Sequence, residues 1–115
     1  MHELSLAMGI LERVTDQAAQ RGIDRVSAVH LRVGAMAGVA CDSLRFSWEL
    51  ACANTVAAGS QLAIEEVPLV VYCEQCGQER TLERIILRCP ECGLPAPHIV
   101  RGRELHIVAM EVPDP

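Results

Sequence analysis

The strongest restriction on the fold comes from two copies of the motif Cys-x-x-Cys-Gly. The first copy begins at Cys73 and the second at Cys89, with twelve residues between the two cysteine pairs. Two cysteines three positions apart can bind one ion when the chain turns tightly between them, and the following glycine allows the positive φ that lets backbone N–H groups donate to sulfur. One such motif alone would also fit a redox pair. Two together predict a metal site formed by Cys73, Cys76, Cys89 and Cys92.

Zinc is the metal that we expect at these four cysteines, with iron or a pair of disulfides as the alternatives. Four thiolates form the closed tetrahedral shell of structural zinc sites and leave no open position for a substrate. The ion would replace a missing core, so this part of the chain should unfold without it. The sequence does not open with a secretory leader, and we therefore expect a reducing, cytoplasmic location, in which metal binding is favoured over disulfides.

The composition changes around the two motifs. Residues 68–103 contain four of the six cysteines and four of the six prolines, and have too few apolar residues for a large core. We expect a zinc-binding domain at residues 68–103, inserted into a domain formed by residues 1–67 and 104–115.

Two helices are predicted outside this segment. Apolar residues recur at steps of three and four over residues 3–20, which is typical of an amphipathic helix. Its expected apolar stripe is Leu4, Met8, Leu11, Val14 and Ala18. A second helix, capped by Asp42 or Ser43, is expected to run to about residue 58.

Three strands are predicted as well. Residues 23–33 alternate between apolar and polar side chains, which indicates a strand with one buried face. Residues 61–67 and residues 104–112 are the other two strand candidates.

The sequence Met1-His2-Glu3 is a second candidate metal site. A bulky second residue blocks removal of the methionine, so an α-amine, two ionisable amides and an imidazole lie within one turn of chain. Such nitrogen donors suit the square-planar preference of Ni(II) or Cu(II), and Glu3 offers a carboxylate oxygen or a charge near the positive end of the helix. A histidine at position two is also often merely solvated, so both interpretations stay open. His98 and Asp42 are further candidate ligands.

The charge balance argues against nucleic acid as a partner. Ten basic residues, all of them arginine, stand against fifteen acidic ones, for a net charge of −5, and the chain has one Phe, one Trp and one Tyr. Proteins that bind a phosphate backbone carry the opposite charge, and those that bind single strands need aromatic side chains for stacking. No apolar run approaches the roughly 20 residues of a membrane span, so we expect no membrane partner either.

The Met1-His2-Glu3 start together with the two cysteine motifs resembles the HypA/HybF family, the nickel metallochaperones that mature nickel–iron hydrogenases. The resemblance extends over nearly the entire chain. Other matching segments are residues 1–5, 29–34, 43–46, 63–68 and 102–105. Two places depart from the family pattern: Ala35 stands where an acidic residue is common, and Cys41 stands where a proline is common.

The resemblance implies an α+β fold, in which two helices pack on a three-stranded mixed sheet and a four-cysteine zinc domain is inserted. It implies that His2, Glu3 and Met1 bind nickel as a transferable cargo, and that the four cysteines bind zinc. Family members work with the GTPase HypB and dock on the precursor of the hydrogenase large subunit, and some also supply urease. A homodimer is a further expectation, because the edge of so small a sheet can pair with another chain.

Two other functions compete with a nickel metallochaperone that is not an enzyme. A zinc-ribbon adaptor for nucleic acid or transcription machinery would use Arg80, Arg84 and Arg88 to contact phosphate, against the acidic net charge. A metal-assisted hydrolase would use His2, Glu3 and His98, but no nucleophile–base pair or phosphate loop supports it.

Overall fold

The computed structural model describes residues 2–114 of the 115-residue chain. Its helices are α1 (Glu3–Gln20) and α2 (Cys41–Cys52), and a 3-10 turn occupies Ala35–Ala37. Its strands are β1 (Ala28–Gly34), β2 (Gln61–Val67), β3 (Leu69–Cys73), β4 (Gln78–Leu82), β5 (His98–Arg101) and β6 (Leu105–Glu111). Within residues 2–114, no helix is both long enough and apolar enough to cross a membrane.

The six strands form two sheets of three. The first sheet has the order β2-β1-β6 and is mixed, and the second has the order β4-β3-β5 and is antiparallel. The chain divides into two compact units: the first is the described part of residues 1–31, 39–65 and 107–115, and the second is Arg32–Gly38 with Glu66–His106. The predicted α+β class, with two helices and a three-stranded mixed sheet, is confirmed. The domain boundaries named above stay a prediction.

Helix α1 follows the predicted range, but its buried stripe differs from the expected one. Leu4 and Met8 are 50% and 52% exposed, so the prediction was wrong at these two positions. Helix α1 has two apolar faces whose residues recur at the same spacing, and this spacing alone does not show which face is buried. The face that packs in the core consists of Ala7, Ile10, Leu11, Val14 and Ala18.

Helix α2 begins at Cys41, with Ala40 as its N-cap, and ends at Cys52, six residues before the predicted end. The predicted caps Asp42 and Ser43 instead lie inside its first turn. Leu44, Trp48 and Cys52 are its buried residues, and the indole Nε1 of Trp48 donates to Ser60 Oγ at 3.0 Å.

The second unit contains three strands that were not predicted. Strand β3 pairs with β4 on one side and with β5 on the other, with a bulge between Val70 and Val71 opposite β5. The apolar core of the second unit is small and centres on Leu69, Val71 and Ala96. The apolar run at residues 69–71 is the signal that could have identified β3, because short buried runs bounded by proline are typical of central strands.

Candidate metal centre

The first cysteine motif forms the turn between β3 and β4. Cys73 is the last residue of β3, and Gly77 has φ +68°, a conformation that side chains disfavour. The backbone N–H of Gly77 donates to the carbonyl of Cys73 at 2.8 Å, and that of Cys76 donates to Cys73 Sγ at 3.4 Å. Gly77 therefore has the predicted positive φ, and a backbone N–H donates to a cysteine sulfur as predicted.

The second motif repeats this geometry. Gly93 has φ +76° and donates its N–H to the carbonyl of Cys89 at 2.9 Å. The Cys89 N–H donates to the Leu94 carbonyl at 2.9 Å, and the guanidinium of Arg88 donates to the Gly93 carbonyl at 2.8 Å. These bonds close the second turn independently of the first.

The two turns bring all four cysteine sulfurs within 4.8 Å of one another. The sulfurs of Cys73 and Cys92 are 3.6 Å apart, far beyond the ~2.05 Å of a disulfide. A tetrahedral ion with metal–sulfur bonds of about 2.3 Å separates its sulfurs by about 3.8 Å, so the donor set and its spacing fit zinc.

Two of the four thiols have pKa values shifted in opposite directions. Backbone N–H groups of Cys92 and Glu91, with the Arg80 side chain, lower the pKa of Cys89 to about 6. The N–H of Leu94 acts in the same direction on Cys92, but loss of hydration and the neighbouring cysteines raise its pKa to about 11. Sulfurs packed this closely do not all ionise by themselves, whereas a bound dication favours the thiolate at every position.

Two of the three arginines of the adaptor hypothesis have neighbours at the cysteine turns. The Cys76 and Cys89 thiols raise the pKa of the Arg80 guanidinium, and Arg80 Nη1 donates to Gln78 Oε1 at 3.0 Å. Arg88 donates to the Gly93 carbonyl.

At the other candidate site, His2 is the N-cap of α1 and is exposed, and its side chain makes no capping bond. Its carbonyl accepts from the N–H of Leu6 at 3.1 Å. Glu3 Oε2 accepts from the backbone N–H of Ala40 at 3.3 Å, which joins the first turn of α1 to the start of α2. Met1, the third residue of the predicted nickel site, lies outside the described residues.

The other candidate nickel ligands have different partners. Asp42 is bonded to Arg45 one turn along α2, at 3.0 Å. His98 lies on β5, edge-on to the ring of Tyr72 at a centroid distance of 6.4 Å. Within residues 2–114, the four-cysteine cluster is the one set of three or more His, Cys, Asp or Glu side chains close enough to share an ion.

The two remaining cysteines lie on α2. Cys52 is buried, and burial raises the pKa of its thiol, although a hydrogen bond with Ser60 opposes the shift. Cys41 is half-buried, and its Sγ lies 4.0 Å from the Val39 carbonyl.

Comparison with known proteins identifies the family. The family model described as "Hydrogenase/urease nickel incorporation, metallochaperone, hypA" matches residues 1–112. The Hydrogenase maturation factor HypA of Chloroflexus aurantiacus (strain ATCC 29366 / DSM 635 / J-10-fl) is 54% identical over 114 residues, which cover 98% of this chain and 100% of that relative. The corresponding factor of Chlorobaculum parvum (strain DSM 263 / NCIMB 8327) is 37% identical over 112 residues, covering 97% and 99% of the two chains.

A solved structure has the same fold. The solution structure of the Ni metallochaperone HypA from Helicobacter pylori superposes with a TM-score of 0.66 at 17% identity, over 97% of each chain. The family model and the curated relatives together decide the assignment: this chain belongs to the HypA family of metallochaperone maturation factors, which are not enzymes.

Proposed function

We propose that this protein binds Ni(II) at its N-terminus and delivers it to the precursor of the nickel–iron hydrogenase large subunit, while a structural zinc ion stays at the four cysteines. The observation that carries the proposal is the position of His2. Its imidazole is exposed at the N-cap of α1 and makes no capping bond there, so it is accessible to an incoming ion. The family match supports nickel as the cargo.

The nickel ligands that we propose are Met1, His2 and Glu3. An amine, backbone amides and an imidazole are the nitrogen donors that suit Ni(II). The Glu3 carboxylate already accepts the Ala40 N–H, so Glu3 orders the first turn of α1 beside the start of α2. Few ligands on an exposed turn allow a recipient to replace them one by one, which is what delivery requires.

The zinc ligands that we propose are Cys73, Cys76, Cys89 and Cys92. Zinc bound there cross-links the two cysteine turns in a unit whose apolar core is small. A closed shell of four sulfurs is suited to a resident ion rather than a cargo. The two sites therefore differ in the property that matters, the ease of metal release.

The partners in this proposal are HypB, the GTPase of nickel insertion, and the hydrogenase precursor, and the location is the cytoplasm. The curated relatives are hydrogenase maturation factors, and the family description also includes urease, which makes urease the second possible recipient. A homodimer is compatible with delivery. We further propose that residues 1–67 with 104–115 form the nickel-binding domain and residues 68–103 the zinc-binding domain.

A nickel titration of untagged, zinc-loaded protein tests this proposal. The wild-type protein is expected to bind one equivalent of Ni(II), and His2→Ala should abolish that binding while leaving the zinc content unchanged. His106→Ala is the matched control, because His106 is an exposed histidine on β6. Nickel binding by His2→Ala equal to that of the wild-type protein would overturn the N-terminal site.

A further inference from the structure

One face of α1 carries a ridge of four exposed side chains, one at every fourth position. The members of this α1 ridge are Leu4, Met8, Glu12 and Asp16. A shallow groove runs along the same face and is lined in part by the small residues Ser5 and Gly9, which are also exposed. A ridge of long side chains beside a groove of small ones is a surface on which a second helix can pack.

Three features of this face are unfavourable while it stays in water. Leu4 and Met8 expose apolar side chains one turn apart. Glu12 and Asp16 are like charges at i and i+4, which destabilises a helix, and in the part of the chain that the structure describes neither forms an ion pair. Glycine inside a helix is less stable than alanine, yet no contact requires Gly9, because a Cβ added there meets nothing within 4 Å. A helix packed on this face would offset all three costs.

The charge of the α1 ridge selects the kind of partner. The groove is lined by two carboxylates and by no basic side chain. A second copy that presented the same face would add carboxylates without a cation, and the anionic surface of a membrane would be repelled. A helix of another protein that carries apolar residues and basic residues on one face is complementary to both halves of the ridge. From Leu4 to Asp16 the ridge is about 18 Å long, so about three turns of the partner helix fit along it.

We propose that the α1 ridge is a docking site for a basic amphipathic helix of a partner protein. Its apolar residues pack on Leu4 and Met8, and its Lys or Arg side chains pair with Glu12 and Asp16. The ridge begins directly after Glu3, so the docked helix lies beside the proposed nickel ligands. This inference rests on the proposed function for the role of that partner in delivery, whereas the docking itself requires no metal.

Fluorescence anisotropy with a labelled synthetic peptide tests the inference. The probe is a peptide of about fifteen residues with leucine and lysine on one face, cross-linked into a helix because so short a peptide is marginally helical by itself. The metal-free nickel site of the wild-type, zinc-loaded protein is left empty throughout. We expect the probe to bind at least about tenfold more tightly than a cross-linked peptide of the same composition in scrambled order. Equal affinities for the two peptides would overturn the inference.

Surface variants locate the bound peptide. Met8→Gln is expected to weaken binding about threefold to tenfold, since about half of this side chain is left to bury. Leu50→Gln is the matched control, because Leu50 is 59% exposed on α2. Glu12→Gln should weaken binding and reduce its dependence on salt, whereas Glu49→Gln, also exposed on α2, should do neither. Equal effects of each variant and its control would contradict docking on the α1 ridge.

Gly9→Ala separates docking from folding. The added methyl group should raise the stability of α1 while it fills part of the groove, so the protein should melt at a higher temperature and bind the peptide more weakly. Wild-type affinity in Gly9→Ala would contradict the packing of a helix in the groove. A dimer of the wild-type protein that Met8→Gln dissociates in sedimentation experiments would assign the face to a second copy and overturn the inference.

His2→Ala distinguishes this inference from the proposed function. The variant should bind the peptide with wild-type affinity, although it binds no nickel. Peptide binding by a wild-type protein that takes up no nickel would overturn only the proposed nickel delivery. Nickel binding without a preference for the helical peptide would overturn only the docking site.

Discussion

At the scale of single residues, Gly34 shows how closely two backbone segments of the second unit approach. A Cβ at this position would overlap the carbonyl group of Gly102. The N–H of Gly34 donates to the Glu104 carbonyl at 2.6 Å, and the N–H of Met36 donates to the Gly102 carbonyl at 2.8 Å. Because the obstructing atoms belong to the backbone, the chain has no flexible side chain that could move aside.

Gly34→Ala is therefore expected to destabilise the protein by about 2–3 kcal/mol or more, the cost of forcing a methyl group into filled space. Urea unfolding measures the loss. Gly9→Ala is the control, because a Cβ there meets nothing within 4 Å and alanine stabilises a helix by up to about 1 kcal/mol relative to glycine. Equal stability of Gly34→Ala and the wild-type protein would refute the close approach.

Cys52 gives a second prediction at this scale, through its raised pKa. Burial favours the neutral thiol in the folded protein, whereas the unfolded thiol ionises near its ordinary pKa of 9.0. The contribution to stability is therefore complete below pH 9.0 and is lost as the pH rises through the higher folded-state pKa. Between neutral pH and a pH above 9.0, the wild-type protein should lose more stability than Cys52→Ala. Parallel stability profiles of the two proteins would show that the thiol does not titrate differently on folding.

At the scale of elements, the end of α2 depends on one hydroxyl group. Thr55 Oγ1 donates to the Cys52 carbonyl at 2.6 Å and accepts from the Ala57 N–H at 3.1 Å. Asn54, which lies between Cys52 and Thr55 in the sequence, has φ +62°. A threonine hydroxyl that bonds to the backbone competes with continuation of the helix.

Thr55→Val keeps the shape of the side chain and removes both bonds. The expected cost is about 1–3 kcal/mol, because the Ala57 N–H loses its acceptor, while the Cys52 carbonyl keeps only its bond from the Thr55 N–H at 3.0 Å. Thermal unfolding measures it, with Thr15→Val on α1 as the control, since Thr15 is exposed. A loss no larger than that of Thr15→Val would mean that Thr55 does not terminate the helix.

Helix α2 also shows which features of the fold the sequence does not predict. The range of α1 was predicted because its apolar period is long, and the metal-binding turns were predicted because Cys-x-x-Cys-Gly is a local pattern. The early end of α2 was missed because residues 53–58 contain neither glycine nor proline, and a hydroxyl bond leaves no periodic signal. The pairing of β4 with β3, which places Arg80 opposite Val71, was missed because strands this short show little periodicity.

At the scale of the whole molecule, the two units differ in what stabilises them. The first contains the buried faces of both helices, including Trp48, while the second has a core centred on Leu69, Val71 and Ala96. This difference was predictable from composition, since residues 68–103 concentrate cysteine and proline. The strands of the second unit were not predictable, because short strands between turns show little hydrophobic periodicity.

Cys73→Ser is expected to unfold the second unit and leave the first unit folded. Loss of one ligand opens the shell, and the small core does not compensate for the lost metal. Limited proteolysis should cut the variant within residues 66–106 and spare α1. Cys41→Ser, outside the cluster, should retain one zinc and the wild-type cleavage pattern. One tightly bound zinc in Cys73→Ser would contradict the ligand assignment.

We propose that one molecule holds a resident metal and a transferable metal at separate sites. Metal analysis of protein loaded with both zinc and nickel, before and after brief dialysis against a chelator, tests it most directly. We expect one nickel and one zinc before dialysis, zinc alone afterwards, and no nickel at either stage in His2→Ala. Nickel that survives dialysis, or nickel that replaces zinc at the cysteines, would contradict it.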